Sequence, residues 1–290
     1  MILVTGATGH VGGELIAQLA TAGTHSVRAM TRRPESLCAP AGVEVARGDA
    51  DQPAGLDAAF RGVRRAFLMS GEPVGDGGPT HLPRLVAAAR RAGVRQVVLL
   101  SVYLGGAGDD MIGRWHRRCE ESVTGSGLDW TLLRPGRFMS NALAWAPMAA
   151  RGEEVAIPFA RRPAASVDPA DIASVAAAVL TAPDPAGHLG AAYPLSGPEL
   201  LTPAEELAVL AELLGRPLRA VEPAPGAVRA GMAMAGVPAA VVDAIVHRST
   251  HGTEGTELLP TVEHLLGRPP HTFAHWAARH LSAFQTSAPH

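Results

Sequence analysis

Three glycines at regular spacing carry the first chemical signal in this chain. Gly6, Gly9 and Gly12 sit in Thr5-Gly6-Ala7-Thr8-Gly9-His10-Val11-Gly12. Residues without a Cβ let a backbone approach a bulky anion, and the unpaired N–H groups at a helix N-terminus hold a pyrophosphate. The glycines follow Ile2-Leu3-Val4, an apolar run that reads as a buried strand. They precede residues 13–22, where Leu15, Ile16, Leu19 and Ala20 recur at helical spacing in phase with Val11. Strand, glycine turn and helix together form the context of a dinucleotide site. Gly6, Thr8, Gly9, His10, Val11 and Gly12 are therefore expected to cradle its phosphates.

A second signal lies twenty positions beyond Gly12. An acidic residue there would hold the ribose hydroxyl of NAD, whereas arginine accommodates the extra phosphate of NADP. The chain has Thr31, Arg32 and Arg33, with no carboxylate between Glu14 and Glu35. Guanidinium geometry matches phosphate, so the expected cofactor is NADP(H). Asp49, at the end of the third predicted strand, is placed to pass the adenine, although turn chemistry also explains an aspartate there.

Composition narrows the chemistry further. All 25 basic residues are arginine; lysine is absent. No lysine Schiff base, P-loop lysine or catalytic lysine can exist in this chain. The net charge of −2 gives no general attraction to nucleic acid or anionic membrane. No apolar run reaches membrane-spanning length, and the N-terminus enters a strand without the basic start of a signal peptide. Two cysteines make no disulfide framework, so a cytoplasmic protein with reduced thiols is expected. His247/His251 and His271/His275 have i, i+4 spacing but no third ligand at a fixed relation, so no metal is expected. No Gly-x-Ser-x-Gly elbow supports acyl transfer.

The elements that would position these residues alternate. Strands are read at 26–31, 42–47, 63–69, 94–101 and 128–134, with helices at 53–60, 80–92 and from Asp109 onward. Ile112, Trp115, Cys119 and Val123 form the apolar face of that last helix. This order predicts an α/β fold with a Rossmann-type, doubly wound parallel sheet, whose ligands lie outside the carboxyl ends of its strands. Met69-Ser70, Ser101, Tyr103 and Pro135 fall at such ends. Phe138, Met139, Asn141 and Trp145 follow one and could wall a substrate pocket. A helix is read from the Asp168 cap to Thr181, and a last strand at 191–196. The Thr202/Glu205 capping box opens another helix, and from there the pattern reads as helical only. The expected organisation is a cofactor-binding domain at 1–150, a return to the sheet at 166–197, and a small C-terminal substrate or lid region at 198–290.

Several stretches together carry a family resemblance. TGATGHVG, the RRP after the second strand, RAGVRQVVLLS, SGLDWTLLRPGRFMSNAL, VDPADIASVAAAVL and TVEHLLGRPPHTFAHW resemble the atypical short-chain dehydrogenase/reductases. The likeness is to the NmrA-like branch, which includes NADPH-dependent quinone oxidoreductases. It spans nearly the whole chain and implies a Rossmann-type sheet, an NADP(H) site and a small C-terminal substrate region. The typical reductase of the superfamily uses a Tyr-x-x-x-Lys pair. Aligned on Ser126-Gly127-Leu128, this chain has His116 at the lysine's place and Ile112 at the tyrosine's. The quinone reductase branch is similar in carrying a histidine there.

The remaining candidates are few. Ser101 could hydrogen-bond a substrate oxygen, Tyr103 could donate to a developing oxyanion, and His116 could contact the nicotinamide ribose or relay a proton. A simple ketone needs a good acid beside it; a quinone or enone spreads the arriving charge by conjugation. The expected activity is therefore hydride transfer from NADPH to a quinone, enone or similar conjugated, often aromatic, small molecule. Two other readings stand beside it. One is a redox-silent epimerase, dehydratase or cyclase; the other is an NADP(H)-sensing regulator. Assembly as a homodimer is left open.

Overall fold

The computed structural model describes residues 1–71, 78–103, 110–152, 154–252 and 255–285. Asp109, read above as a helix start, lies outside them. The first half alternates strand and helix: β1 (Ile2–Val4), α1 (His10–Ala22), β2 (Val27–Thr31), β3 (Glu44–Arg47), α2 (Leu56–Phe60), β4 (Arg65–Met69), α3 (His81–Arg91), β5 (Gln96–Leu100), α4 (Met111–Thr124) and β6 (Asp129–Pro135). After a 3-10 segment at Met139–Trp145 come α5 (Ala146–Arg151), β7 (Glu154–Ala156), α6 (Pro169–Thr181) and β8 (Ala191–Leu195). The chain continues through α7 (Pro203–Leu214), β9 (Arg219–Val221), α8 (Pro225–Met234), α9 (Ala239–His251), α10 (Thr261–Leu266) and α11 (Phe273–Arg279).

Seven strands form one parallel sheet in the order β3-β2-β1-β4-β5-β6-β8. Strand order therefore reverses between β1 and β4, which places a crevice at their carboxyl ends. Both faces of the sheet are covered, so its strands read as apolar runs rather than alternating ones. Val4, Phe67, Val98 and Leu133 pack on one side with α1 and α6. Leu3, Leu68, Leu99 and Leu132 pack on the other with α2, α3 and α4. A third core gathers Met139, Trp145, Leu207, Leu210, Phe273, Trp276 and Phe284.

Two readings from sequence are corrected here. The helix expected at 13–22 starts at His10, so Gly12 lies in its first turn and only Gly6 to Gly9 make the bend. The region beyond 198 is not helical only, because β9 pairs in parallel with β7 as a separate two-stranded sheet. Three-residue strands far apart in the chain leave no periodicity to detect.

The C-terminal residues are tied to α6 and α1 by charge. Asp168 caps α6 through a 2.8 Å bond from Ala170 N–H, and Asp171 lies in its first turn; both are buried. Arg279 reaches Asp168 Oδ2 at 3.3 Å and Glu14 on α1 at 2.9 Å. The backbone N–H of His271 donates to Asp171 Oδ2 at 2.7 Å. Asp171 Oδ1 is faced by Arg268 at 2.8 Å and His271 Nδ1 at 3.1 Å, although neither aligns as a directed hydrogen bond. Asp168, Asp171 and His271 lie within 4.8 Å of one another, close enough for a metal. Two guanidiniums already meet these carboxylates, which makes the group an ion-pair cluster. Removing one member of such a pair strands the rest. Asp171→Ala is expected to lower unfolding free energy by about 2–4 kcal/mol, read as a shift in the urea midpoint at constant slope.

Candidate active site

The crevice between β1 and β4 is a cleft of about 410 Å³ lined by Thr5, Gly6, Ala7, Thr8, Thr31, Arg32, Asp49, Met69 and neighbouring side chains. Its floor is the glycine turn. Gly6 has φ +64°, and a Cβ at Gly12 would stand 2.2 Å from the Gly6 carbonyl oxygen. Only glycine at position 12 lets α1 begin this close to the strand. Gly9 caps α1 without any side-chain hydrogen bond, and the first turn holds no acidic residue. The N–H groups of that turn are thus left for an anion. His10 is exposed beside them, while Val11 points into the core. Thr5 Oγ1 accepts from Met69 N–H at 2.9 Å, locking the ends of β1 and β4 together.

The other expected cofactor residues divide. Arg32 and Thr31 line the cleft; Arg33 does not, but its N–H donates to Thr31 Oγ1 at 3.2 Å. Asp49 lines it and also accepts from Asp51 N–H at 2.9 Å, so the turn and the cleft share this residue. Ser70 is buried just past the lining, its hydroxyl turned to Gly71 O at 3.4 Å. The far wall was not foreseen: His81 meets Asp51 at 2.8 Å, and both line the cleft with Leu85. The hydrogen bond from His81 holds the Asp51 carboxyl below its ordinary range.

Along the sheet, at the ends of β5 and β6, stands a second polar group. Ser101 Oγ donates to Glu120 Oε1 at 2.7 Å. Glu120 also receives Arg134 through Nε at 2.9 Å and Nη2 at 2.6 Å, a bidentate pair that raises the guanidinium's pKa. The proton of Ser101 is therefore committed within the protein. His116 lies one turn before Glu120 on α4. Burial pushes its imidazole down to about 4, despite the pull of Glu120; Arg248 adds to the fall. Its Nδ1 is buried without a hydrogen-bond partner among the described residues. His116 is thus neutral across physiological pH, a hydrogen-bonding group rather than an acid.

Tyr103 is fixed by a 2.7 Å bond from its N–H to the carbonyl of the buried Pro135. Its hydroxyl donates to Glu257, and that bond, with some burial, raises its pKa. Arg248 on α9 grips Asp110, the cap of α4. Burial pushes the Asp110 carboxyl up, but Arg248 and the Gly113 N–H outweigh it and hold it low. Sequence reasoning missed Glu120, Asp110, Arg248 and Glu257. Only Glu120 left a trace, four residues from His116 and so on one helix face.

The expected substrate wall is mostly interior. Met139 and Trp145 are buried in the third core with Phe273 and Trp276. Phe138 packs partly buried against the first core, and Asn141 is exposed. Large apolar residues after a strand end pack as readily as they line a pocket. The two histidine pairs are stacked, with ring centroids 4.9 and 4.4 Å apart. Cys38 and Cys119 are both free thiols. Among the described residues no helix is long and apolar enough to cross a membrane.

Sheet, switch point and glycine-lined cleft define a dinucleotide-binding fold, and comparison with known proteins agrees. Residues 6–183 match the NAD(P)H-binding family, and the chain belongs to it. Its relatives place it among NmrA-like and quinone-reductase-like members, and it is an NAD(P)H-dependent oxidoreductase. A (4-alkanoyl-5-oxo-2,5-dihydrofuran-3-yl)methyl phosphate reductase from Streptomyces griseus is 43% identical over 289 residues, covering 98% of this chain and 99% of that one. An NAD(P)H azoreductase from Xenophilus azovorans is 35% identical, again over 98% and 99%. The solved NADPH-dependent quinone oxidoreductase from Escherichia coli complexed with NADPH aligns with a TM-score of 0.78 at 28% identity, covering 97% of this chain and 100% of that one.

The depressed His116 pKa makes a stability prediction. Below its unfolded value near 6.5 the unfolded chain binds a proton that the folded one resists until about 4. Stability from this group is full above pH 6.5 and is lost as pH falls toward 4. In His116→Gln that part of the acid-side decline in thermal midpoint is expected to disappear.

Proposed function

We propose that this chain catalyses NADPH-dependent reduction of a conjugated carbon–carbon double bond in an unsaturated lactone that carries a phosphate monoester. The observation that carries this is the 43% identity across nearly the full length of both chains with the Streptomyces griseus phosphate reductase. The substrate in that relative's name has a ring alkene next to both a ring carbonyl and an alkanoyl carbonyl. Bound NADPH supplies a hydride, and the β-carbon of such an alkene accepts it. The resulting negative charge spreads over two carbonyl oxygens, so no strong acid is needed beside them. That matches a site with no lysine, a neutral His116 and a tyrosine as its proton source.

Each part of the chain then has a task. Residues 1–150, with 166–197, hold the cofactor, and residues 198–290 cover the substrate side. Gly6, Thr8, Gly9, His10, Val11 and Gly12 surround the pyrophosphate, with Met69, Ser70 and Pro135 at neighbouring strand ends. Thr31, Arg32 and Arg33 meet the ribose phosphate that separates NADPH from NADH, and Asp49 lies by the adenine. Neutral His116 hydrogen-bonds the nicotinamide ribose. Ser101, its own proton held by Glu120, orients the site through its lone pairs. Tyr103, kept protonated by Glu257, turns its single O–H from that carboxylate to the carbonyl oxygen that gathers charge.

The test is direct. Protein, NADPH and the alkanoyl butenolide phosphate are mixed and the nicotinamide absorbance followed, beside a quinone and an azo dye. Loss of absorbance, with deuterium from labelled NADPH on the ring β-carbon, is expected; tight NADPH binding without oxidation by the lactone would overturn the reading. Arg32→Glu should shift the NADPH-to-NADH preference by about 100-fold, measured as a ratio of kcat/KM. Tyr103→Phe should lower kcat about 10- to 100-fold.

A further inference from the structure

One polar device near the active site has no part in these steps. Arg137 stands two residues past the end of β6. Its Nη1 donates to both carboxylate oxygens of Glu206 at 2.8 Å each, and to Ser166 Oγ at 3.2 Å. Ser166 Oγ in turn donates to Glu206 Oε1 at 2.8 Å. The guanidinium carbon lies 6.0 Å from the Trp145 ring centroid. The side chain of Glu206 is 1% exposed and that of Arg137 is 22%. Burial pushes the Glu206 carboxyl up while Arg137 pulls it back.

This anchoring occupies a single nitrogen. Among the described residues the Nε and Nη2 of Arg137 make no hydrogen bond. In a guanidinium those two N–H groups form a parallel edge that meets two oxygens of one phosphate or carboxylate. The residue is also at the right end of the sheet. A Cβ at the adjoining Gly136 would lie 3.9 Å from Gly255 Cα. Gly255 O accepts from Ala165 N–H at 2.7 Å, and Glu257, two residues on, receives the Tyr103 hydroxyl. The backbone beside Arg137 therefore runs next to the segment that carries Glu257, the partner of Tyr103.

We propose that Arg137 binds the phosphate monoester of the substrate through its Nε–Nη2 edge, with Glu206 and Ser166 as positioning residues that fix the guanidinium plane. The proposal rests on the substrate reading above. Glu206 offsets the charge of Arg137, so recognition depends on paired hydrogen bonds more than on long-range field. An ion pair that merely pins α7 to the end of β6 would explain the Nη1 contacts equally, and the test separates the two.

The experiment compares kcat/KM for the phosphorylated lactone with that for its dephosphorylated alcohol. The wild-type protein should favour the phosphate by about 100-fold, and Arg137→Gln should reduce that to about threefold or less. Arg137→Lys should fall between, keeping charge but losing the fork. Because Arg137→Gln leaves Glu206 buried and unpaired, Arg137→Gln/Glu206→Gln is measured beside it, with NADPH fluorescence titration to verify a folded cofactor cleft. A phosphate preference that survives in these folded variants overturns the Arg137 assignment alone. A wild-type protein that reduces both lactones equally overturns the substrate reading, and the assignment with it.

Discussion

Everything in this protein depends on how closely α1 approaches the end of β1. The distance from the Gly6 carbonyl to the Cα of Gly12 is too short for any side chain at position 12. That contact starts the helix at His10, leaves its first N–H groups uncapped, and aims them into the crevice where strand order reverses. Met69 closes the other side from β4, held by Thr5. The cleft is thus a property of backbone packing, with Arg32 at its rim.

Chemistry is assigned to a separate layer of contacts. Around the ends of β5 and β6, most acidic and basic groups are paired within the protein: Ser101 and Arg134 on Glu120, Arg248 on Asp110, Tyr103 on Glu257. These pairings lower the acidity on offer. Burial makes His116 neutral, and its carboxylate partner makes Tyr103 a weaker acid. The proposed acceptor, whose own conjugation stabilises the incoming charge, asks little of such an acid.

What could be read from sequence followed local periodicity. The glycine turn, the alternation of strands and helices, the Asp168 cap and the Thr202–Glu205 capping box all lie within a few residues of their partners. The turn's detail escaped because a glycine inside a helix and one before it look alike. So did β7 and β9, and the exposed helix α8, which buries only Val228. The active-site pairings were hidden for another reason. Tyr103 and Glu257 are 154 residues apart, and Arg248 and Asp110 are 138 apart. No spacing rule connects such residues; only the parallel sheet and the returning C-terminal helices do. Phe138, Met139 and Trp145 show the converse, since an apolar run beside a site carries the same signature as a core.

The ion-pair cluster at the start of α6 bears on how the chain is made. Asp168 and Asp171 are buried at the foot of a helix that packs on α1, yet the His271 that meets Asp171 is synthesised 100 residues later. A growing chain folds its early part first. Until Arg268, His271 and Arg279 emerge, those two carboxylates lack the side chains that meet them from the C-terminal part of the chain. Helix α1, which packs on α6, is likewise tied through Glu14 to Arg279, a residue synthesised 265 positions later.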